Sequence, residues 1–391
     1  MQVIYALEDM PETFTKSIFL AGPTPRNKEE QESWRPDAIK ILEDKGYDGV
    51  VFIPEPREVK NGYDYNAQVE WEEKYLNVAD CIVFWVPRDL EPDSKGYPKM
   101  AAFTTNVEWG VWCDSGKVVF GAPPKATKNT YLKHYADKYN VTVSDTLPDT
   151  LDSAMEMLGN GAERTGGERE VPLFIWNTPS FQSWYQQLKG ADNRLDGAQL
   201  LYTFRPRFKN FVFLWVLKVN VYVSSEDRNK TNEFVLARPD ISSVLMWQPN
   251  TDVPLDSKVI LIKEFRSPAR TEDGFIRELP SGSSNNKEDS ATEIAASEVH
   301  EETGFYLDPS RLTLEGSRQL AGTLSSHKSF LYSVELDSEE IEWFESQKDI
   351  VHGNTEDTER TFIEVLTVKD ILENELVDWS TVGMILSKIL S

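Results

Sequence analysis

Short apolar runs and amphipathic stretches alternate along the first part of the chain. Residues 17–22, 49–54, 81–86 and 117–121 are apolar at nearly every position and read as strands. Between them, residues 33–45, 66–78 and 106–114 read as helices. Strands this apolar throughout are covered on both faces, which predicts a doubly wound parallel α/β sheet. Residues 159–170 are small, polar and aperiodic, the composition of an interdomain linker. Beyond them the strands lengthen, at 211–223, 233–237, 243–248, 258–265 and 329–336, with helices at 179–188, 291–303, 338–347 and 381–390. The pattern divides the chain into a domain over 1–158, a linker over 159–170 and a second α/β domain with a mixed sheet over 171–391.

The helix over 291–303 carries the most chemistry. At about 100° per residue, Ala291, Ile294 and Ala295 share a face that Glu298, Glu301 and Glu302 continue, while Ala296, His300 and Thr303 point away. Carboxylates gathered against a core repel one another and are costly to bury unpaired. A hard divalent cation with oxygen ligands relieves both problems. Gly304 stands where a helix is usually capped.

Composition narrows the function. The chain has 391 residues, 40% hydrophobic and 27% charged, an ordinary globular balance. Its net charge of −24 disfavours a nucleic-acid partner, and no basic patch offsets it. The two cysteines, Cys81 and Cys113, exclude a disulfide scaffold and a cysteine-based zinc site. The amino end lacks the basic-then-apolar pattern of a signal peptide. The longest apolar run, 211–223, is broken by Lys218 and too short for a bilayer. A soluble, cytoplasmic protein without a membrane partner is expected.

The stretch Glu298-Val299-His300-Glu301-Glu302-Thr303-Gly304-Phe305 resembles the second half of the Nudix hydrolase motif. Gly282 begins the first half, one residue too far from Gly304, so Glu288 or Asp289 must fill its acidic place. Ser297 replaces the family's arginine. The surrounding Lys263-Glu264-Phe265-Arg266 and Glu278-Leu279-Pro280-Ser281-Gly282 look like the ADP-sugar pyrophosphatase branch. The resemblance implies an α/β/α sandwich and Mg²⁺, with Mn²⁺ as second choice, held by Glu298, Glu301, Glu302 and Glu278. Arg266 would face a diphosphate. A member of the acidic run Glu356-Asp357-Thr358-Glu359 would activate water, and the sequence does not choose among them.

In the first domain, Asp80 precedes one strand, and Glu108 follows the loop after it. Ligands of a parallel sheet bind beyond the carboxyl ends of its strands. Glu108, expected in the first turn of its helix, could there attack the anomeric carbon of a sugar as the base departs. The plainer alternative is an acid favoured by the helix dipole. Ala21-Gly22-Pro23, Asp80, Thr104-x-x-x-Glu108-x-Gly110 and Ser115-Gly116-Lys117-Val118-Val119 together resemble the nucleoside 2-deoxyribosyltransferase-like family, across roughly residues 14–140. That resemblance implies a Rossmann- or flavodoxin-like sheet with Glu108 as nucleophile. Glu72 would be a second acid and Asp80 part of the catalytic set. It also implies Phe19 near the base and self-association of the chain. Arg26 would hold a 5′-phosphate. Ala102 stands in place of a family aspartate. Together the two resemblances imply a bifunctional enzyme acting on small nucleosides and nucleotides. One half would cleave or transfer at an N-glycosidic bond, and the other would hydrolyse a substituted nucleoside diphosphate with metal assistance. The alternative is a nucleotide sensor in which one or both domains only bind.

Overall fold

The computed structural model describes the whole chain except residues 26, 28–29, 58–63, 207–210, 284–290 and 354–358. The chain forms two compact units, Met1–Val235 and Leu236–Ser391.

The first unit is built on a six-stranded sheet. Its strands are β1 (Gln2–Tyr5), β2 (Ser17–Ala21), β3 (Val50–Ile53), β4 (Cys81–Trp85), β5 (Val118–Gly121) and β6 (Val143–Ser144). All pair in parallel, in the spatial order β1-β3-β2-β4-β5-β6. The expected parallel sheet is thus present, with an additional edge strand at each side. Side chains alternate between two cores because successive strand residues face opposite ways. Phe19, Phe52, Phe84 and Phe120 pack beneath α2 (Tyr65–Val78), α3 (Phe103–Trp112) and α4 (Thr130–Lys138). Leu20, Val51, Val83 and Val119 pack beneath α1 (Arg35–Asp44) and α5 (Leu147–Leu158). Local chemistry sets the helix starts. Asp64 accepts the N–H groups of Asn66 and Ala67 to begin α2, and Thr146 accepts that of Asp149 to begin α5. Strand order reverses between β2 and β4, so the crevice of this sheet opens beyond their carboxyl ends.

Residues 159–170, expected as a linker, are largely structured. Arg164–Thr165 pairs with Thr13–Phe14, and a 3₁₀ turn follows over Gly166–Glu170. The small polar composition has a different cause: Gly159, Gly161 and Gly166 have φ of +53°, +75° and +56°, and a Cβ on Gly161 would meet the Thr15 carbonyl. The unit continues through α6 (Pro179–Gly190) into a three-stranded sheet of β7 (Arg194–Phe204), β8 (Leu214–Val223) and β9 (Arg228–Ala237). Phe181, Tyr185 and Trp215 are buried there.

The second unit is a mixed sheet between two helical layers. Its strands are β10 (Ile241–Gln248), β11 (Lys258–Phe265), β12 (Phe275–Glu278), β13 (Thr313–Gln319), β14 (Lys328–Glu335) and β15 (Thr361–Thr367). They run in the order β12-β11-β10-β14-β13, with β15 along β11 and Ser281–Gly282 along β10. Only β10 and β14 pair in parallel among the described pairings of this sheet. Val244, Met246, Ile260 and Ile262 face α7 (Ala291–Thr303) and α8 (Ser338–Ser346). Leu245, Trp247, Val259 and Leu261 face α9 (Val368–Glu373) and α10 (Trp379–Ile389). Gly304 ends α7 at φ +73°, its N–H donated to the His300 carbonyl at 2.8 Å. Among the described residues, no helix is long and apolar enough to cross a membrane.

Candidate functional site

At the crevice of the parallel sheet, three helices bring charge together. Arg35, the first residue of α1, turns back over the end of β2. Its Nε donates to the Leu20 carbonyl at 3.1 Å, and Nη2 donates to that of Gly22 at 2.8 Å. Nη1 donates to Thr24 Oγ1 at 3.0 Å and pairs with Glu55 Oε1 at 2.5 Å. From the other face, α2 contributes Glu72, which accepts from Gln68 Nε2 at 2.5 Å. Helix α3 contributes Glu108. It begins at Phe103, earlier than expected, so Glu108 lies in the second turn rather than the first.

Burial is the main force on these acids. It raises the Glu108 carboxyl to about 7, with the Glu72 carboxylate adding to the rise and Arg35 opposing it. Burial also raises Glu72, against the Gln68 hydrogen bond and Arg35. Two acids and one buried guanidinium therefore share one field, as acid–base and nucleophilic sites require. The folded state holds the Glu108 proton more tightly than the unfolded chain does. Stability should consequently fall as pH rises from the ordinary glutamate range through about 7. Glu108→Gln, neutral throughout, is expected to be more stable than the parent by about 2 kcal/mol near pH 8 and little different near pH 5. Urea unfolding at the two pH values measures this.

Residues 15–126 match the family described as nucleoside 2-deoxyribosyltransferase like. The first unit contains such a domain. No curated protein matches the chain.

Within the deoxyribosyltransferase-like domain, the structure separates the remaining expected residues. Asp80 does not join Glu108 and Glu72. It sits at the amino end of β4, away from the crevice, fully buried against Arg164 with contacts of 2.8 and 2.6 Å. It also accepts from Ser17 Oγ and from the Leu173 N–H, which uses its lone pairs structurally. Phe19 is a core residue, its ring 6.2 Å from that of Trp71. Trp109 is held in the core between Phe84 and Phe120. Arg26 lies outside the described residues. Ala102 caps α3 in the left-handed region, at φ 58° and ψ 35°, and has no side-chain acceptor to offer. Arg35 was missed in the sequence because an arginine beginning a helix carries no pattern of its own; its burial is tertiary.

The second unit gathers carboxylates around α7. The buried stripe is Ala295, Ala296, Val299, Glu302 and Thr303, so the expected face is rotated. Glu301 is exposed, while Thr303 points inward and donates to the Val299 carbonyl. Glu302 is 3% exposed and accepts the Ser281 N–H at 3.0 Å. Burial drives its carboxyl well above the ordinary value, and Glu278, Glu298 and Glu359 push it further. Glu298 is raised to about 7 by burial, then by Glu301 and Glu359. Its carboxyl rests where a Cβ on Gly282 would fall, 1.9 Å from Cδ. Arg266 does not stand free for a substrate; it pairs with Glu264 at 2.8 Å and Glu278 at 3.2 Å. Of the late acidic run, Glu359 reaches this field; Glu356, Asp357 and Thr358 lie outside the described residues, as do Glu288 and Asp289.

These donors suit a hard divalent cation in kind: carboxylate oxygens, with Glu302 buried and Glu298 and Glu278 half-buried. Their present geometry is more open. Among the described residues, no group of three or more acidic, histidine or cysteine side chains converges to hold a metal ion.

Proposed function

We propose that the chain is a two-site enzyme of nucleotide chemistry. For the first unit, the supporting observation is the half-buried Glu108 and Glu72 with Arg35 at the crevice of a deoxyribosyltransferase-like domain. The ionised Glu108 attacks the anomeric carbon, the bond to the base breaks, and water or a second base then displaces the enzyme carboxylate. Glu72 keeps the proton affinity of Glu108 high, and the departing base takes its proton from water in the absence of an aspartate at Ala102.

For the second unit, the reading is a Nudix-type hydrolase of a substituted nucleoside diphosphate. Its support is the run from Glu298 to Phe305 on a helix whose Glu302 is buried against the Ser281 N–H, with Glu278 near it and Glu298 against Gly282. Glu298, Glu301 and Glu302, with Glu278, are the residues that would hold Mg²⁺ or Mn²⁺. A bound cation would supply polarisation of a diphosphate oxygen and neutralisation of its charge. Ser281 orients Glu302 through its N–H, and Gly282 leaves room for Glu298. A member of the run Glu356-Asp357-Thr358-Glu359 would take a proton from water, and Glu359 is the one whose charge reaches Glu302 among the described residues.

The test scores free base and released phosphate esters separately, on the full-length chain with and without Mg²⁺. The panel holds nucleosides, nucleoside monophosphates, nucleotide sugars and dinucleotides. Glu302→Gln is expected to lower Mg²⁺-dependent ester release by about 10²-fold or more while leaving base release in place. Gly282→Ala should act in the same channel by displacing the Glu298 carboxyl. Absence of ester release across the panel in the parent would refute the second half of the reading. Ser297, exposed on α7, and Ala102 favour a rival in which one domain only binds nucleotides. Thermal stabilisation by ligand without turnover would support it.

Self-association belongs to the same proposal. Phe103, Val107 and Val111 form a stripe along α3, 64%, 69% and 61% exposed. A second copy covering that stripe predicts that Val107→Lys shifts the protein toward monomer in sedimentation equilibrium. An unchanged mass would remove the stripe from consideration.

A further inference from the structure

On the face of its sheet opposite α7, the second unit leaves a groove with a cavity of about 860 Å³. One wall is the second half of β13, the other is α10 through Trp379, Gly383 and Met384, and Leu331 of β14 lies between them. Gly383 sits inside α10, where a residue without a side chain costs helix stability. A Cβ placed on it meets nothing within 4 Å, so no neighbour requires a glycine there; its effect is to leave the groove open beside the helix. Trp379, the first residue of α10, is 89% exposed in the lining. The opposite wall is open in a different way. Strand β13 ends the sheet, pairs only with β14 among the described residues, and is exposed at all seven positions. Its outer edge therefore offers main-chain N–H and C=O groups with no strand against them. The side-chain charges of the lining do not cancel. Glu315 is held by Lys388 at 2.8 Å and by the Ser333 hydroxyl, whereas Arg318 is exposed and has no ion pair among the described residues.

We propose that this groove binds an extended peptide segment of another protein, added as a further strand along β13. A carboxylate side chain of the segment pairs with Arg318, and an apolar one lies between Trp379 and Met384. An extended main chain is the ligand that repeats N–H and C=O groups at a strand's own spacing of about 3.3 Å per residue. In strand addition those bonds supply the affinity, and alternate side chains supply the choice of partner. The carboxylate follows from Arg318, whose guanidinium is matched by a planar, charged acceptor. The proposal rests on neither catalytic reading.

The test is fluorescence anisotropy of the full-length chain with labelled peptides of about ten residues, threonine alternating with valine or phenylalanine and a central aspartate or lysine. The aspartate peptides should bind the parent about tenfold or more tighter than the lysine peptides. Methylating alternate main-chain nitrogens of the peptide should abolish binding in one phase, which faces β13, and spare it in the other. Arg318→Glu should invert the preference between aspartate and lysine. Gly383→Leu fills the groove and favours the helix, so it should melt no lower than the parent and lose the peptide. Should it melt lower, Arg318→Glu, on an exposed strand position, decides alone. Failure of every peptide to bind the parent would overturn the proposal. So would binding that survives Gly383→Leu, a preference unchanged by Arg318→Glu, or equal tolerance of methylation in both phases. A parent that ignores the peptides but loses mass in sedimentation equilibrium on Gly383→Leu would give the groove to a second copy of the chain instead.

Discussion

Glu108→Ala is expected to lose base release by roughly 10³-fold or more, because no other described carboxylate shares its place on α3 above the crevice. Ester release should be untouched. The pH profile gives a sharper test. A nucleophile must be ionised, so kcat/KM for base release should climb with pH and level off above about 7, where burial and Glu72 have put the Glu108 carboxyl. Glu72→Gln removes the neighbouring charge but not the burial, which is the larger cause. The rising limb should therefore move to lower pH by only part of the total shift. Full rate in Glu108→Ala would end the proposal for this unit. A flat profile across that range would exclude Glu108 as the ionising nucleophile.

Much of the fold was legible because it rests on local rules. Strands buried on both faces announce themselves as unbroken apolar runs, and Cys81–Trp85 and Lys258–Phe265 emerged near their expected bounds. The strand Arg194–Phe204 did not, because Asp196, Gly197 and Gln199 interrupt its apolar pattern and its pairing to β8 is a long-range choice. Residues 159–170 misled for a physical reason: glycines demanded by positive φ look the same as glycines of a flexible linker. The helix 291–303 was right in extent and wrong in rotation. Its wheel was set on Ala291 and Ile294, whereas packing centres on Ala295 and Val299, which turns Glu301 outward and Thr303 inward.

The sites were partly legible. Glu108 and Glu72 come from different helices, and only the strand order shows that both reach one crevice. Arg35 leaves no trace in periodicity, since its burial depends on carbonyls and side chains outside its own helix. Asp80 shows a limit of the opposite kind. Acids near parallel strands invite a catalytic reading, yet only those at the carboxyl ends face the ligand crevice, and Asp80 precedes its strand.

That placement makes Asp80 the residue whose loss should cost most stability. Its carboxylate and the Arg164 guanidinium are both 0% exposed and meet through two short contacts, with Ser17 and the Leu173 N–H completing the carboxylate's shell. Asp80→Ala leaves a buried guanidinium with no counter-charge, its described partners being the carbonyls of Ala162, Thr15 and Val171 and the Phe14 ring. Breaking one side of a buried pair costs about 3–5 kcal/mol, and urea unfolding of the variant should show a loss of that size. The pair also ties the amino end of β4 to residues 164–173, so the loss should appear as earlier protease cleavage around that stretch. Asp80→Leu combined with Arg164→Met should be less damaging than either change alone, because the double change removes the stranded charge. Base release per folded molecule should survive in all of these. If Asp80→Ala instead keeps its stability and loses base release, the carboxylate is catalytic and the structural assignment fails.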